Sequence, residues 1–381
     1  MNLKKKFNKL LSNNVNLFSL SRVDQETLLN NYPIPGNLYE RSYFQFTIQF
    51  NLLPLSKRIL NNIISFFLLP VIFLQASFNY KKKVKKLNTK KTAVFPYKNL
   101  NYHDALPQEI LDEFDVHTIN FQSGLSINFD DLRFISKLIY KYFFAPYFLS
   151  KCIYKILFYR YIINNINPDA IISSAEYSFT SSIATAYCER NGIEQINIMH
   201  GEKLFYIRDS FFQFSRFYIW DEFYKNLFVK LKAEPNQFIV GTYPSLKLEI
   251  DNGVNKKFLY TYYLAAEDEE TLYKIKETML LLADLQCLNI RFHPRYSSIK
   301  QIQEIFNGFN IENSRETSLE NSFGSTENVI SLYSSVLLQA YFSGVNIVID
   351  DLNNKNYEKV KQAEYIIFNK KHELLSSLIK V

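Results

Sequence analysis

Glycine is scarce in this chain, with 9 in 381 residues, and no Gly-x-Gly-x-x-Gly run or phosphate-loop signature occurs. That argues against dinucleotide-dependent oxidoreductases, whose first turn needs glycine to bring backbone close to a pyrophosphate. Cysteine is scarcer still. Cys152, Cys188 and Cys287 are odd in number and far apart. They offer neither a disulfide framework nor a zinc spacing, and a reducing compartment is expected. No His-Glu-x-x-His stretch is present among the 5 histidines. The basic start, "MNLKKKFNKLLSNN", lacks the apolar core and small-residue cleavage site of a secretory signal. The charge excess is small, 44 Lys+Arg against 37 Asp+Glu, and much of it sits near the N-terminus. A nucleic-acid partner is therefore not expected.

What the chain does have is apolar mass, 47% hydrophobic and 16% aromatic, too much for a disordered protein and enough length for two cores. Residues 1–90 show no α/β rhythm and read as a basic, apolar N-terminal extension. Inside it, "ILNNIISFFLLPVIFLQASFNY" (59–80) carries no charge and is followed by "KKKVKK". Its length permits a membrane span, its asparagines and Pro70 favour a surface-seeking helix, and core packing is the third reading. The aromatic stretch 137–163 repeats the theme as one or two helices, against a core or a membrane surface.

From 91 the texture changes. "TAVFPY", "DVHTINF", "DAIISSAEYS" and "IEQINIMHG" read as strands separated by helical patterns, and "FYIWDEFYKNLFVKLKAEPNQFIVGTYPSL" as strand, helix, strand. Polar "KLEIDNGVNKK" (247–257) reads as a linker. A second rhythm follows: "FLYTYYLAA", a helix over about 268–285, "LNIRFHP", "NVISLY", the helix "SVLLQAYFSG" and "NIVIDD". Short strand–helix–strand connections imply parallel βαβ units. The expected fold class is α/β, two doubly wound Rossmann-like domains facing a cleft, spanning 91–250 and 256–381.

Ligands of such sheets bind beyond the carboxyl ends of strands, so the polar residues there are the candidates. In "LYSSVLLQAYFSG", Ser334 or Ser335 caps a helix, and the same N-terminus with two hydroxyls can hold a phosphate. In "LNIRFHPRYSS", His293 ends a strand of the same sheet, where an imidazole can serve as an acid beside a phosphate. Arg291 and Arg295 flank it and can add positive charge. In "AAEDEETLYK", Asp268 opens a helix; its acid can be a favourable dipole partner or a base facing a hydroxyl.

An acidic pair, then His-Pro, then a serine pair opening a helix resembles bacterial sialyltransferases. It is most similar to the lipooligosaccharide and O-antigen sialyltransferases of glycosyltransferase family 52, and more loosely to polysialyltransferases. The resemblance covers roughly 255–345 and implies a GT-B enzyme that uses CMP-sialic acid with no obligatory metal or other cofactor. It makes Asp268 (in Glu267-Asp268) the base, His293 the acid, and Ser334 with Ser335 the phosphate site. Glu269 stands where that family has glycine. The segment "PDAIISSAEYS…NGIEQINIMHG" resembles surface-polysaccharide transferases more broadly. It makes Glu176 a rival base and places His200 and Gly201 at the acceptor or donor site, a tight turn being their plain alternative. The resemblance further implies a lipid-linked glycan acceptor, a position peripheral to the inner face of the cytoplasmic membrane, and allows a homo-oligomer. CMP-Kdo or a UDP-sugar as donor, a CDP-alcohol phosphotransferase, and a non-catalytic scaffold stay open.

Overall fold

The computed structural model describes residues 20–78, 90–97, 102–119, 124–250, 256–265, 267–295 and 297–379. These residues form two compact units. The first takes the described residues up to His200 and then Phe205–Thr242; the second takes Gly201–Leu204 and the described residues from Tyr243 onward. The change of unit thus precedes the 247–257 segment read as a linker, of which 251–255 lie outside the described residues.

The first unit is built on six parallel strands: β1 Lys91–Phe95, β2 Phe114–Thr118, β3 Ala170–Ser173, β4 Glu194–Ile198, β5 Arg216–Ile219 and β6 Phe238–Val240. Their spatial order is β2-β1-β3-β4-β5-β6. β3 is buried along its whole length. A parallel strand covered by helices on both faces has no solvent side, which is why "AII" reads as an unbroken apolar run. The helix Pro146–Ile166 is likewise buried round most of its circumference and anchors the core. Proline at its first turn suits the missing N–H there, and Asn167 ends it in a left-handed conformation, φ +50°.

The preceding helix, Phe129–Tyr142, starts on a reciprocal capping box between Asn128 and Asp131. Asp131 is buried, and its carboxylate also accepts from Arg160 (2.7 and 2.9 Å) and from the Tyr187 hydroxyl (2.6 Å). Three helices are pinned through one acid whose oxygens are all occupied, the condition under which a buried ion pair holds.

Residues 1–90 are not a separate extension where the structure describes them. The helix Leu38–Asn51 places Phe46 in the first unit's core, and Ser42 accepts from the backbone N–H of Ile183. This part of the chain is three helices in a row, Arg22–Asn30, Leu38–Asn51 and Leu55–Gln75, so it lacks the strand alternation by which a domain is recognised in sequence.

The second unit repeats the plan with β7 Phe258–Tyr263, β8 Leu288–Arg291, β9 Asn310–Glu312, β10 Thr326–Ser331, β11 Asn346–Ile349 and β12 Glu373–Leu374. All pairings are parallel, in the order β9-β8-β7-β10-β11-β12. Counted from its own first strand this is 3-2-1-4-5-6, the Rossmann order. The expected doubly wound α/β class is present in both units.

Candidate functional site

In an open parallel sheet the connections on either side of the first strand leave in opposite directions, and a crevice opens at the carboxyl edge where they part. In the first sheet that point lies between β1 and β3, in the second between β7 and β10.

At the first edge, Tyr97 follows β1, Ser174 and Glu176 follow β3, and His200 follows β4. The Ser174 hydroxyl lies 2.5 Å from His200 Nδ1, and the same nitrogen is 3.8 Å from Glu176 Oε1. The Glu176 side chain is wholly buried while that of His200 is 51% exposed. Asn197 donates to Glu176 Oε2 at 3.1 Å and accepts from Ser173 and from the Ala175 N–H, which fixes the loop after β3. Gln45 donates to the Glu176 carbonyl at 2.8 Å. The Tyr97 hydroxyl is pushed up to about 12, chiefly by burial and then by Tyr177 and Glu176, so it stays protonated and able to donate. Gly201 has φ +66°, and the space where a Cβ would stand is open to 4 Å, so the turn's conformation, not crowding, calls for glycine.

The structure thus brings Glu176 and His200 together, two residues that the sequence offered separately. An interior carboxylate next to a half-exposed imidazole can accept a proton from a hydroxyl arriving on the imidazole side. Tyr97, Ser174 and Asn197 were missed. Their only signal was position, each at or just beyond the end of an apolar strand.

At the second edge, β7 carries the acids in the middle, with His293 beyond β8 on one side and the serine pair beyond β10 on the other. Two strand gaps separate the His293 and Ser334 loops, about 10 Å at the strand ends, a ligand's width rather than a contact. His293 is half-buried. Its Nδ1 accepts from the Arg295 N–H at 3.1 Å, which in the neutral ring leaves the proton on Nε2. Burial first, and the Arg295 charge second, hold the ring below the usual imidazole value. Ser334 caps the helix Ser335–Phe342, its Oγ accepting from the Val336 N–H, while its carbonyl accepts from the Tyr365 hydroxyl at 2.7 Å.

The acids divide. Asp268 is exposed and caps the helix Glu269–Leu282 through the Thr271 N–H at 2.9 Å; that bonding holds its carboxyl below the usual range, which weakens it as a base. Glu267 turns inward, both oxygens accepting from the Ala265 N–H, and burial raises it, with Asp350 and Asp268 adding to the effect. Asp350, following β11, takes the Tyr262 hydroxyl at 2.5 Å and is also raised by burial. Arg291 is engaged elsewhere. It pairs with Glu312 and donates to the Thr317 carbonyl across the outer strands. Arg295 is exposed beside the ring of His293.

Among the described residues no three His, Cys, Asp or Glu side chains gather as a metal centre requires. A cavity of about 790 Å³ exists in the first unit, lined by Arg41, Lys137, Glu189, Arg190 and Glu234 among others. It lies by the segments that enter β5 and β6, at the amino edge and away from Glu176 and His200.

No family model matches this chain, and no curated protein matches it. Solved structures do match, at low identity. A UDP-N-acetylglucosamine 2-epimerase of Listeria monocytogenes shares 7% identity at TM-score 0.43, over 69% of this chain and 79% of that one. S. aureus MnaA, solved with UDP, shares 10% at 0.44, over 76% and 89%. The wall teichoic acid polymerase TagF, soaked with CDPG, shares 12% at 0.38, over 71% of each. At such scores these likenesses carry no argument about reaction or substrate.

Proposed function

We propose that this protein is an inverting glycosyltransferase of surface-glycan assembly, acting with a nucleotide-sugar donor, CMP-sialic acid being the donor we favour. The observation that carries the reading is the second sheet's carboxyl edge. One rim there holds a half-buried imidazole, an inward-turned acid and a serine-opened helix N-terminus, spread over a ligand's width. The Ser335 N–H at that N-terminus, with the hydroxyls of Ser334 and Ser335, would take the phosphate. His293 as the imidazolium would protonate or cation-stabilise the departing phosphate oxygen from Nε2. The arriving anion favours the charged ring against the burial that disfavours it beforehand, and Nδ1 then carries the second proton in place of accepting the Arg295 N–H. Arg295 would add charge at the same loop.

For the base we place Glu176 first, because its carboxylate is interior and touches an imidazole open to solvent. Glu267 comes second, and Asp268 last because it serves as a helix cap. The reaction as proposed needs no metal, and the acceptor is a lipid-linked glycan at the inner face of the cytoplasmic membrane.

The test is nucleotide release by the purified protein from CMP-sialic acid, CMP-Kdo, UDP-sugars and CDP-glycerol, with and without chelator. CMP release that survives chelator and falls about 10²–10⁴-fold in His293→Ala supports the proposal. Turnover of CDP-glycerol alone would replace it with phosphotransfer, and silence with every donor would end it.

A further inference from the structure

Among the described residues one helix, Leu55–Gln75, is long and apolar enough to cross a membrane. Its inner side is already occupied. Leu69, Ile72 and Phe73 pack against the first unit's core, and Asn62 accepts from the Tyr147 N–H at 3.2 Å, tying the helix to the start of Pro146–Ile166. The opposite side is open. Ile59, Ile63, Phe67 and Leu74 recur at helical spacing and are 51%, 52%, 69% and 86% exposed, and Phe66 beside Phe67 is exposed as well. The turn before Pro146, which Asn62 holds beside the helix, adds Phe143 and Phe144, the latter 94% exposed. A soluble monomer does not ordinarily leave so large an apolar face in water.

We infer that this face is a docking surface for a lipid bilayer with anionic headgroups, on which Leu55–Gln75 lies in the interface without crossing. Its packed inner side excludes a span, because crossing would strip Leu69, Ile72 and Phe73 from the core. Charge selects lipid over a second copy of the chain. No aspartate or glutamate occurs between Glu40 and Asp104, nor between Asp131 and Asp169. The same two stretches carry Lys57 and Arg58 in the first turn of Leu55–Gln75 and Lys151 over the ring of Tyr147, the residue whose N–H Asn62 accepts. Two copies meeting through this face would oppose cation to cation, whereas an anionic headgroup layer meets both the apolar stripe and its basic border. The proposal stands apart from the donor assignment, since the surface does not include the rim residues.

The full-length protein is mixed with vesicles of phosphatidylcholine, with or without phosphatidylglycerol, and floated. We expect flotation with the anionic vesicles, weaker flotation with phosphatidylcholine alone, and a loss of at least about tenfold in partition for the combined Phe66→Ser, Phe67→Ser, Phe143→Ser, Phe144→Ser variant. That variant should keep the wild-type melting transition and nucleotide release from a soluble donor, since the rings it removes face water. Unchanged partition in a folded variant overturns the inference, as does a wild-type protein that stays with the aqueous fraction. A dimer in light scattering that the four serines dissolve, with no flotation, also overturns it in favour of a second copy.

Discussion

In the first unit the carboxyl edge keeps its acid inside and its imidazole outside: Glu176 is fully buried and His200 half exposed. In the second unit Asp268 is exposed on a helix end, and the imidazole of His293 is half-buried with its ring nitrogen tied to the Arg295 N–H. Both edges arise from the same architecture, strands ending beside helix N-termini. What differs is whether the acid's lone pairs are consumed by a helix. A carboxylate used as a cap is held charged and stabilises a turn; one in the interior, held by an asparagine amide beside an imidazole, is left in contact with a group that reaches solvent.

Paired substitutions tell the two edges apart. Glu176→Gln keeps an oxygen for the Asn197 amide and removes the charge. It should lower nucleotide transfer by roughly 10²–10⁴-fold with the fold intact, whereas Asp268→Asn, which preserves the cap, should leave transfer within a few-fold. The reverse pattern in single-turnover kinetics would make the cap the base. Next in size is the stability of the first unit. Asp131→Ala strands Arg160 and should cost about 3–5 kcal/mol in a denaturant melt, a loss that the second unit's exposed Asp268 cannot show because water screens it.

A smaller effect separates the two serines. Ser335→Ala should weaken donor binding about 10- to 100-fold in calorimetry without touching stability, since it removes only a donor to the phosphate. Ser334→Ala should cost about 1 kcal/mol in addition, through the cap. Smallest is the titration of His293. Its lowered value in the free protein and the anion's preference for the charged ring mean that donor binding takes up a proton and tightens as pH falls. Arg295→Gln should move the ring's NMR titration upward, since the guanidinium charge is one of the two causes holding it down. An unmoved titration would leave burial as the sole cause.

The strands β1, β3, β4, β7, β8, β10 and β11 were legible because each is an apolar run that stops at small or polar residues. β9, three half-buried residues of mixed polarity, and the two-residue β12 were not. Nor was the membership of Leu38–Asn51 in the first core, since its apolar residues meet partners as distant in the chain as Phe134, Phe148 and Phe179. The site residues divide the same way. Strand ends pointed to Glu176, His200, His293 and the serine pair, but Arg291 read as a free cation beside His293 and is instead bonded to Glu312 on the neighbouring strand.

Hydrophobic period and chain order are local properties, and they were enough for the α/β class and the parallel sheets. Which strands are neighbours, and through them which acid is buried, which caps a helix and which face of Leu55–Gln75 stays bare, emerged with the folded chain. Those depend on contacts between residues distant in the chain, and burial, not residue type, sets what a carboxylate can do.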